Sequence, residues 1–134
     1  MIQLIGWMDE YDGKHNLGYE VTTDGGATWT RGLMPFPDRS SAADASVAFD
    51  RSNLAYYCCV ATIPGYPTRQ TWVSWSTDQG LTWSDQQRTQ VDPSTTWFAD
   101  RPCVAVAPDA NPESPYLGRV YVAYYENDFR INGQ

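Results

Sequence analysis

The sequence predicts an all-β chain built from four-stranded antiparallel units, and three observations carry that expectation. They are strand-like alternation in short runs, a turn-rich composition, and one eight-residue pattern that occurs twice. The runs "SVAF", "LAYYCCVAT", "TWVSWST" and "RVYVAYY" suit strands, and Asp, Asn, Pro or Gly residues bound them. With Gly 10, Pro 9, Trp 6 and Tyr 9, the composition favours many short strands joined by turns. No segment shows helical apolar spacing over a useful length.

Within the most complete unit the expected order is strand (about 45–50), strand (54–62), strand (70–77), tight turn, strand (82–91). That is a four-stranded meander. The repeated pattern falls where the third strand must reverse into the fourth: "STDQGLTW" at 76–83, with a near copy, "TTDGGATW", at 22–29. Asp78 is expected to accept hydrogen bonds from backbone N–H groups in the turn, and Gly80 to take the positive φ of a tight reversal. Ser76 and Thr82 supply hydroxyls, and Trp83 returns to cover the hairpin with an apolar face. Thr22, Asp24, Gly26, Thr28 and Trp29 repeat these roles.

Asp24 and Asp78 lie 54 residues apart, near the period of propeller blades or other stacked units. The likeness continues downstream, where "ADASVAFDRSNLAYYCCVA" from Ala43 and "ADRPCVAVAPDANPESPYLGRVYVAYYEN" from Ala99 both read as an Ala-Asp start, a short strand, a turn and an aromatic-rich strand. The second version has the longer loop, "PDANPESPYLG". A lone meander leaves two faces and two edges uncovered, and radial stacking of sheets is one way to bury the faces.

The pattern Ser/Thr-x-Asp-x-Gly-x-Thr-Trp resembles the Asp-box, or bacterial neuraminidase repeat, of the sialidase-like β-propellers. The segment from Phe98 to Asn127 is also similar to the region between boxes in exo-sialidase-like repeat proteins, so the resemblance covers nearly the whole chain. It implies that the boxes sit at the outer rim, between third and fourth strands and away from the ligand funnel, which makes Asp24 and Asp78 structural. Propellers of this class usually have six blades, and six units of this period need roughly 320 residues. A chain of 134 residues is therefore expected to hold a single partial propeller domain. It would comprise a partial blade over 1–40, a complete blade over 41–93 and the start of another over 94–134. The expectation is a propeller fragment, completed by the rest of a larger ring or by further copies of the chain.

For function the resemblance implies a glycan-processing protein of the exo-sialidase type. Such an enzyme needs three arginines on the substrate carboxylate, a tyrosine nucleophile assisted by a glutamate, and an aspartate as acid/base. A fixed anion clamp binds the sugar, and a neutral nucleophile avoids a second negative charge beside it. The early Arg-Ile-Pro-like segment is absent and the full set cannot be placed, so this chain alone is expected to be inactive, with no catalytic residue assigned. The alternative is a non-catalytic propeller module for glycan binding or protein assembly.

Asp44, Asp100 and Arg101 are the candidate ligand-binding residues, because they open the first strands of successive units and first strands line the channel of this architecture. Arg101 suits a ligand carboxylate, or alternatively a salt bridge with Asp100 or Asp109. Asp44 and Asp100, at matching positions by the Ala-Asp alignment, can equally bond to backbone between blades. Tyr124, Tyr125 and Glu126 have the composition of a nucleophile and its assistant, but consecutive strand residues face opposite sides and packing is the simpler account. His15, in the loop-like "YDGKHNLG", is expected at the surface. The acidic stretch over residues 8–13 lacks calcium-loop spacing and reads as an exposed turn.

Charge and cysteine usage narrow the partners. With Lys+Arg 9 against Asp+Glu 16, the field repels polyanions, which disfavours nucleic acid and anionic membranes. Eight of the nine basic residues are Arg, whose fork grips a carboxylate through two bonds, so a glycan or small anionic ligand stays open. Cys58, Cys59 and Cys103 show no C-x-x-C spacing and one histidine cannot complete a zinc site, so neither a metal nor another cofactor is expected. Adjacent Cys58 and Cys59 point to opposite faces of a strand, so at most one of them can face Cys103; buried small hydrophobes are the simpler reading. The start, "MIQLIGWMDEYDG", reads as neither a secretory signal nor a membrane span. The resemblance implies an extracellular, cell-surface or periplasmic setting, which would make the chain a mature or excised piece.

Overall fold

The computed structural model describes residues 1–11, 14–35, 41–62, 64–65, 68–89, 97–107 and 113–128. Among these residues the chain forms three antiparallel sheets and no helix. The first sheet has the order β1 (Gln3–Tyr11), β2 (Lys14–Thr22), β3 (Thr30–Leu33). The second is the meander β4 (Ser41–Phe49), β5 (Ala55–Thr62), β6 (Gln70–Ser76), β7 (Gln87–Arg88). The third pairs β8 (Trp97–Val106) with β9 (Val120–Asp128). No sheet closes on itself.

Alternation explains how the sheets stack. Leu17, Tyr19 and Val21 project from one face of β2 and meet Tyr57, Cys59, Ala61 and Trp72 of the second sheet, forming the main core. Leu4, Ala45, Val47 and Trp83 pack against it. The opposite face of the second sheet lies under the third, where the Val104 amide donates to Ser46 Oγ at 3.1 Å.

Both repeated octapeptides fold into the same hydrogen-bonded turn. In the second, the Asp78 carboxylate accepts from Thr82 N (2.8 Å), Thr82 Oγ1 (2.6 Å) and Ser76 Oγ (2.7 Å), while Ser76 Oγ accepts from Gly80 N (2.7 Å). In the first, Asp24 accepts from Thr28 N (3.0 Å), Thr28 Oγ1 (2.6 Å) and Thr22 Oγ1 (2.7 Å), and Thr22 Oγ1 accepts from Gly26 N (2.9 Å). Gly26 and Gly80 have φ of 97° and 94°, as a left-handed turn position requires. The preceding position is also left-handed, Gly25 at 81° and Gln79 at 68°.

The two tryptophans then diverge. Trp83 sits edge-on between Tyr19 (5.6 Å) of the first sheet and Tyr57 (5.7 Å) of the second, and the Tyr19 hydroxyl donates to the Leu81 carbonyl at 2.9 Å. Trp29 remains 40% exposed. One turn locks two sheets together; the other presents its indole to solvent.

Hydrogen bonds from the Thr28 hydroxyl, the Thr28 amide and the Thr22 hydroxyl hold the Asp24 carboxyl far below its usual range. Burial raises the Asp78 carboxyl, but the bonds from Thr82 and Ser76 outweigh it and the net shift is downward. Both folded values therefore lie below the unfolded value of about 3.9, so their stabilisation is present above that pH and is lost as pH falls through the folded values. Urea midpoints should drop between pH 6 and pH 3, and less steeply in the Asp24→Asn/Asp78→Asn double variant; equal slopes would contradict this origin.

Three local expectations are corrected. The fourth strand, expected over 82–91, shrinks to Gln87–Arg88. One backbone bond survives there, from Ser84 N to the Trp75 carbonyl (2.8 Å), while serine hydroxyls take over beside it: Ser74 Oγ donates to the Ser84 carbonyl (2.6 Å) and Ser84 Oγ accepts from Trp75 N (3.0 Å). The first strand of that sheet begins at Ser41, ahead of the expected start near 45. Met8–Tyr11 and Lys14–Leu17, read as turn and loop, belong to β1 and β2, paired in register from Gln3↔Thr22 to Tyr11↔Lys14. Asp12, Gly13 and the His15 side chain lie outside the described residues.

Side-chain volume helps to hold the β1–β2 pair. Trp7 crosses over Gly18, where an added Cβ would come within 2.1 Å of the indole, and the Arg31 guanidinium lies 4.5 Å from the centre of the Trp7 ring. In the second sheet the corresponding pair is Cys59 opposite Trp72. Large and small have changed strands.

Candidate functional site

The strand registers separate the molecule into two ends. Phe49↔Ala55 and Ala55↔Ser76 put the second box turn at one end of the middle sheet, while Ser41↔Thr62 and Ala61↔Gln70 define the other. The candidate ligand residues lie toward that other end.

Both first strands are bulged there. In β4 the register breaks between Ala43 and Ser46, so Asp44 and Ala45 oppose Cys59 alone. In β8 it breaks between Asp100 and Cys103, so Arg101 and Pro102 oppose Tyr124 alone. A two-against-one mismatch bends a strand and redirects a side chain, and Pro102, lacking an N–H, is tolerated where the ladder is interrupted. Asp44 has φ of 56° and Arg101 of 49°. Left-handed backbone is uncommon for residues other than glycine, and its recurrence at paired bulges is the kind of stored strain that concentrates at functional sites.

The bulges shift the equivalence between the sheets by one residue. The counterpart of Asp44 is Arg101, not Asp100 as the Ala-Asp alignment suggests.

The three predicted residues are brought together with distinct roles. Asp44 Oδ2 accepts from the Arg101 amide at 3.3 Å, a backbone bond between sheets. Asp100 pairs with Arg69 Nη1 at 3.4 Å instead of Arg101, and Arg69 also binds Ala99 N through its carbonyl at 3.0 Å. The Arg69 guanidinium stands 6.0 Å from the Phe98 ring centre. Arg101 is exposed, and its guanidinium has no partner among the described residues. Asp109 lies outside them.

Arg69 and Phe98 were missed by sequence reading. Arg69 is 31 residues from Asp100, and no local pattern connects them. Pro102 within a strand was the available sign of the bulge.

Tyr124 is half-buried and Tyr125 is 60% exposed, as alternation requires. Burial and then the Glu126 charge raise the Tyr124 hydroxyl above its ordinary value. All three cysteines are free. Cys59 belongs to the core; the Cys58 thiol is pushed up to about 12, chiefly by burial, with the Cys103 charge adding and a Ser46 hydrogen bond opposing. The Cys58 thiol is therefore not poised as a thiolate. Among the described residues no group of three or more His, Cys, Asp or Glu is placed to hold a metal ion, and no helix is long and apolar enough to cross a membrane.

What the arrangement can do is bind: an exposed guanidinium fork for a carboxylate, flanked by Asp44 and Asp100 as hydroxyl acceptors. A comparison with known families and with curated proteins finds no match to this chain.

Proposed function

We propose that this chain is an arc of an Asp-box β-propeller of the sialidase-like class, and that its bulged end is a wall of the funnel that takes a carboxylate-bearing sugar. The reading is supported by two turns of the same hydrogen bonding in successive sheets. The observation that carries it is the pair of matching bulges at Asp44 and Arg101, remote from the box turns. In this reading Arg101 grips the ligand carboxylate and Asp44 accepts from sugar hydroxyls while steadying the Arg101 amide. Arg69 holds Asp100 in place. The rest of the propeller supplies the remaining wall, in an extracellular, cell-surface or periplasmic glycan-processing protein.

A titration of the chain with N-acetylneuraminate and with galactose, followed by NMR, tests the ligand. Arg101→Ala should weaken binding of the acid sugar about tenfold, as expected for loss of one charge-assisted pair, and Arg101→Lys by less. Equal binding of the neutral sugar, or no effect at Arg101, would refute the site. This chain alone should release no fluorophore from a fluorogenic sialoside.

A second reading, a module that binds glycans or proteins without chemistry, is favoured by Tyr124. Burial and then the Glu126 charge make its hydroxyl harder to ionise, which disfavours it as a nucleophile. Turnover by the complete propeller separates the two.

A further inference from the structure

The bulged end brings two opposite charges side by side and leaves both unneutralised. Asp44 Oδ2 accepts from the Arg101 amide at 3.3 Å, so the two residues meet through the Arg101 backbone. Among the described residues the ion pairs are Arg31–Glu20 and Arg69–Asp100. Asp44 and Arg101 are both exposed, and among those residues neither the carboxylate nor the guanidinium has an ionic partner, including each other. Asp100, by contrast, has its charge met by Arg69 at 3.4 Å.

The backbone explains why the pair stays open. Asp44 at φ 56° and Arg101 at φ 49° are each left-handed inside a bulge, and a bulge redirects the side chain it carries. The Asp44 carboxylate is turned onto the amide of Arg101, while the guanidinium lies at the far end of a long side chain. What the two lack is a cation at one point and an anion at another. An α-amino acid carries both charges on one carbon and suits an acid and a base close enough to pair directly, which these are not. A sugar ring with a carboxylate on one side and an ammonium on the other holds its charges apart. Charge balance favours the same ligand. Asp44, Arg69, Asp100 and Arg101 cancel locally, and a protein of net charge −7 repels an anionic sugar but not a zwitterion.

We infer that the ligand of this end is a zwitterionic acid sugar, with its carboxylate on the Arg101 guanidinium and a free ammonium, not an acetamide, on the Asp44 carboxylate. The inference rests on the grip of Arg101 in the proposed function and adds the second charge. Asp100 is not the ammonium's partner, because Arg69 already holds it. An acetamide offers Asp44 a neutral N–H, whereas an ammonium offers an ionic hydrogen bond, roughly twice as strong. Both protein groups are exposed, so solvent screening limits the gain to about fivefold in affinity.

Two methyl glycosides, that of neuraminate with its amine free and that of N-acetylneuraminate, are titrated into the chain and followed by NMR at pH 6, where an amine is protonated. The free amine should bind about fivefold more tightly than the acetamide. Asp44→Asn keeps an oxygen for the Arg101 amide and suits left-handed backbone but removes the charge, so the ratio of the two affinities should fall to about one. Equal affinities on the wild-type chain, tighter binding of the acetamide, or a ratio unmoved in a folded Asp44→Asn variant would overturn the inference. The wild-type comparison decides even where the variant does not fold. If both glycosides bind equally and Arg101→Ala weakens both, the ammonium is refuted and the carboxylate site stands; if neither binds, both readings fall.

Discussion

Trp83→Ala should destabilise the chain by about 3 kcal/mol, whereas Trp29→Ala should change stability by less than about 0.5 kcal/mol. The two residues end the same turn, so local geometry alone predicts equal costs. The difference comes from what lies beyond the turn: Trp83 fills the space between Tyr19 and Tyr57, and its removal leaves a void that those rings cannot close without moving apart. Tyr57 is anchored by its hydroxyl, which donates to the Gly18 carbonyl at 3.1 Å, so collapse into the void is resisted. Urea unfolding of dilute, monomeric protein measures both values. Similar costs would mean that the indole serves the turn and not the joint between sheets.

Asp78→Ala is expected to cost about 2 kcal/mol. Three donors converge on that carboxylate, and their loss frees the Thr82 amide and hydroxyl and the Ser76 hydroxyl that in turn holds Gly80. The turn is partly wet, so water compensates for some of the loss and the figure stays below the sum of three charged bonds. Asp78→Asn should fall between, because one amide oxygen still accepts while the amino group faces the Thr82 hydroxyl. Asp24→Ala should cost less than Asp78→Ala, since the first turn seats an exposed tryptophan. Denaturant midpoints across the four proteins check the order, and an Asp24 variant as damaging as its counterpart would contradict it.

The parts of the fold legible in the sequence are those whose cause is local. The box turns were readable because an Asp acceptor, a Gly at positive φ and a Thr donor all fall within five residues. The strands β5 and β6 were readable from runs rich in aromatic and β-branched residues. The β1–β2 pairing was not, although Asp12-Gly13 is a two-residue hairpin signal, because the charged residues around it suggested a solvated loop. Trp7 lying over Gly18 helps to hold the hairpin, and that contact is invisible to composition. Likewise β7 starts late because the Ser74 and Ser84 hydroxyls take up the Ser84 carbonyl and the Trp75 amide, contacts that become available only once the hairpin has formed. At the candidate site, Asp44, Asp100 and Arg101 were singled out as strand openers, but they lie inside β4 and β8, at or beside the bulges, and their division of labour was not legible. The one-residue offset comes from backbone bulges, and the Arg69–Asp100 pair depends on one sheet resting on another.

The exchange of bulk between Trp7–Gly18 and Cys59–Trp72 bears on how such a repeat can evolve. A recombination that joined β1 to β6 would set two indoles against each other, and one that joined β5 to β2 would leave a thiol facing a glycine across an empty gap. Duplication or swapping can succeed only when whole hairpins travel together, so the unit of inheritance here is the strand pair, and single-strand chimeras should be found only in company with compensating changes.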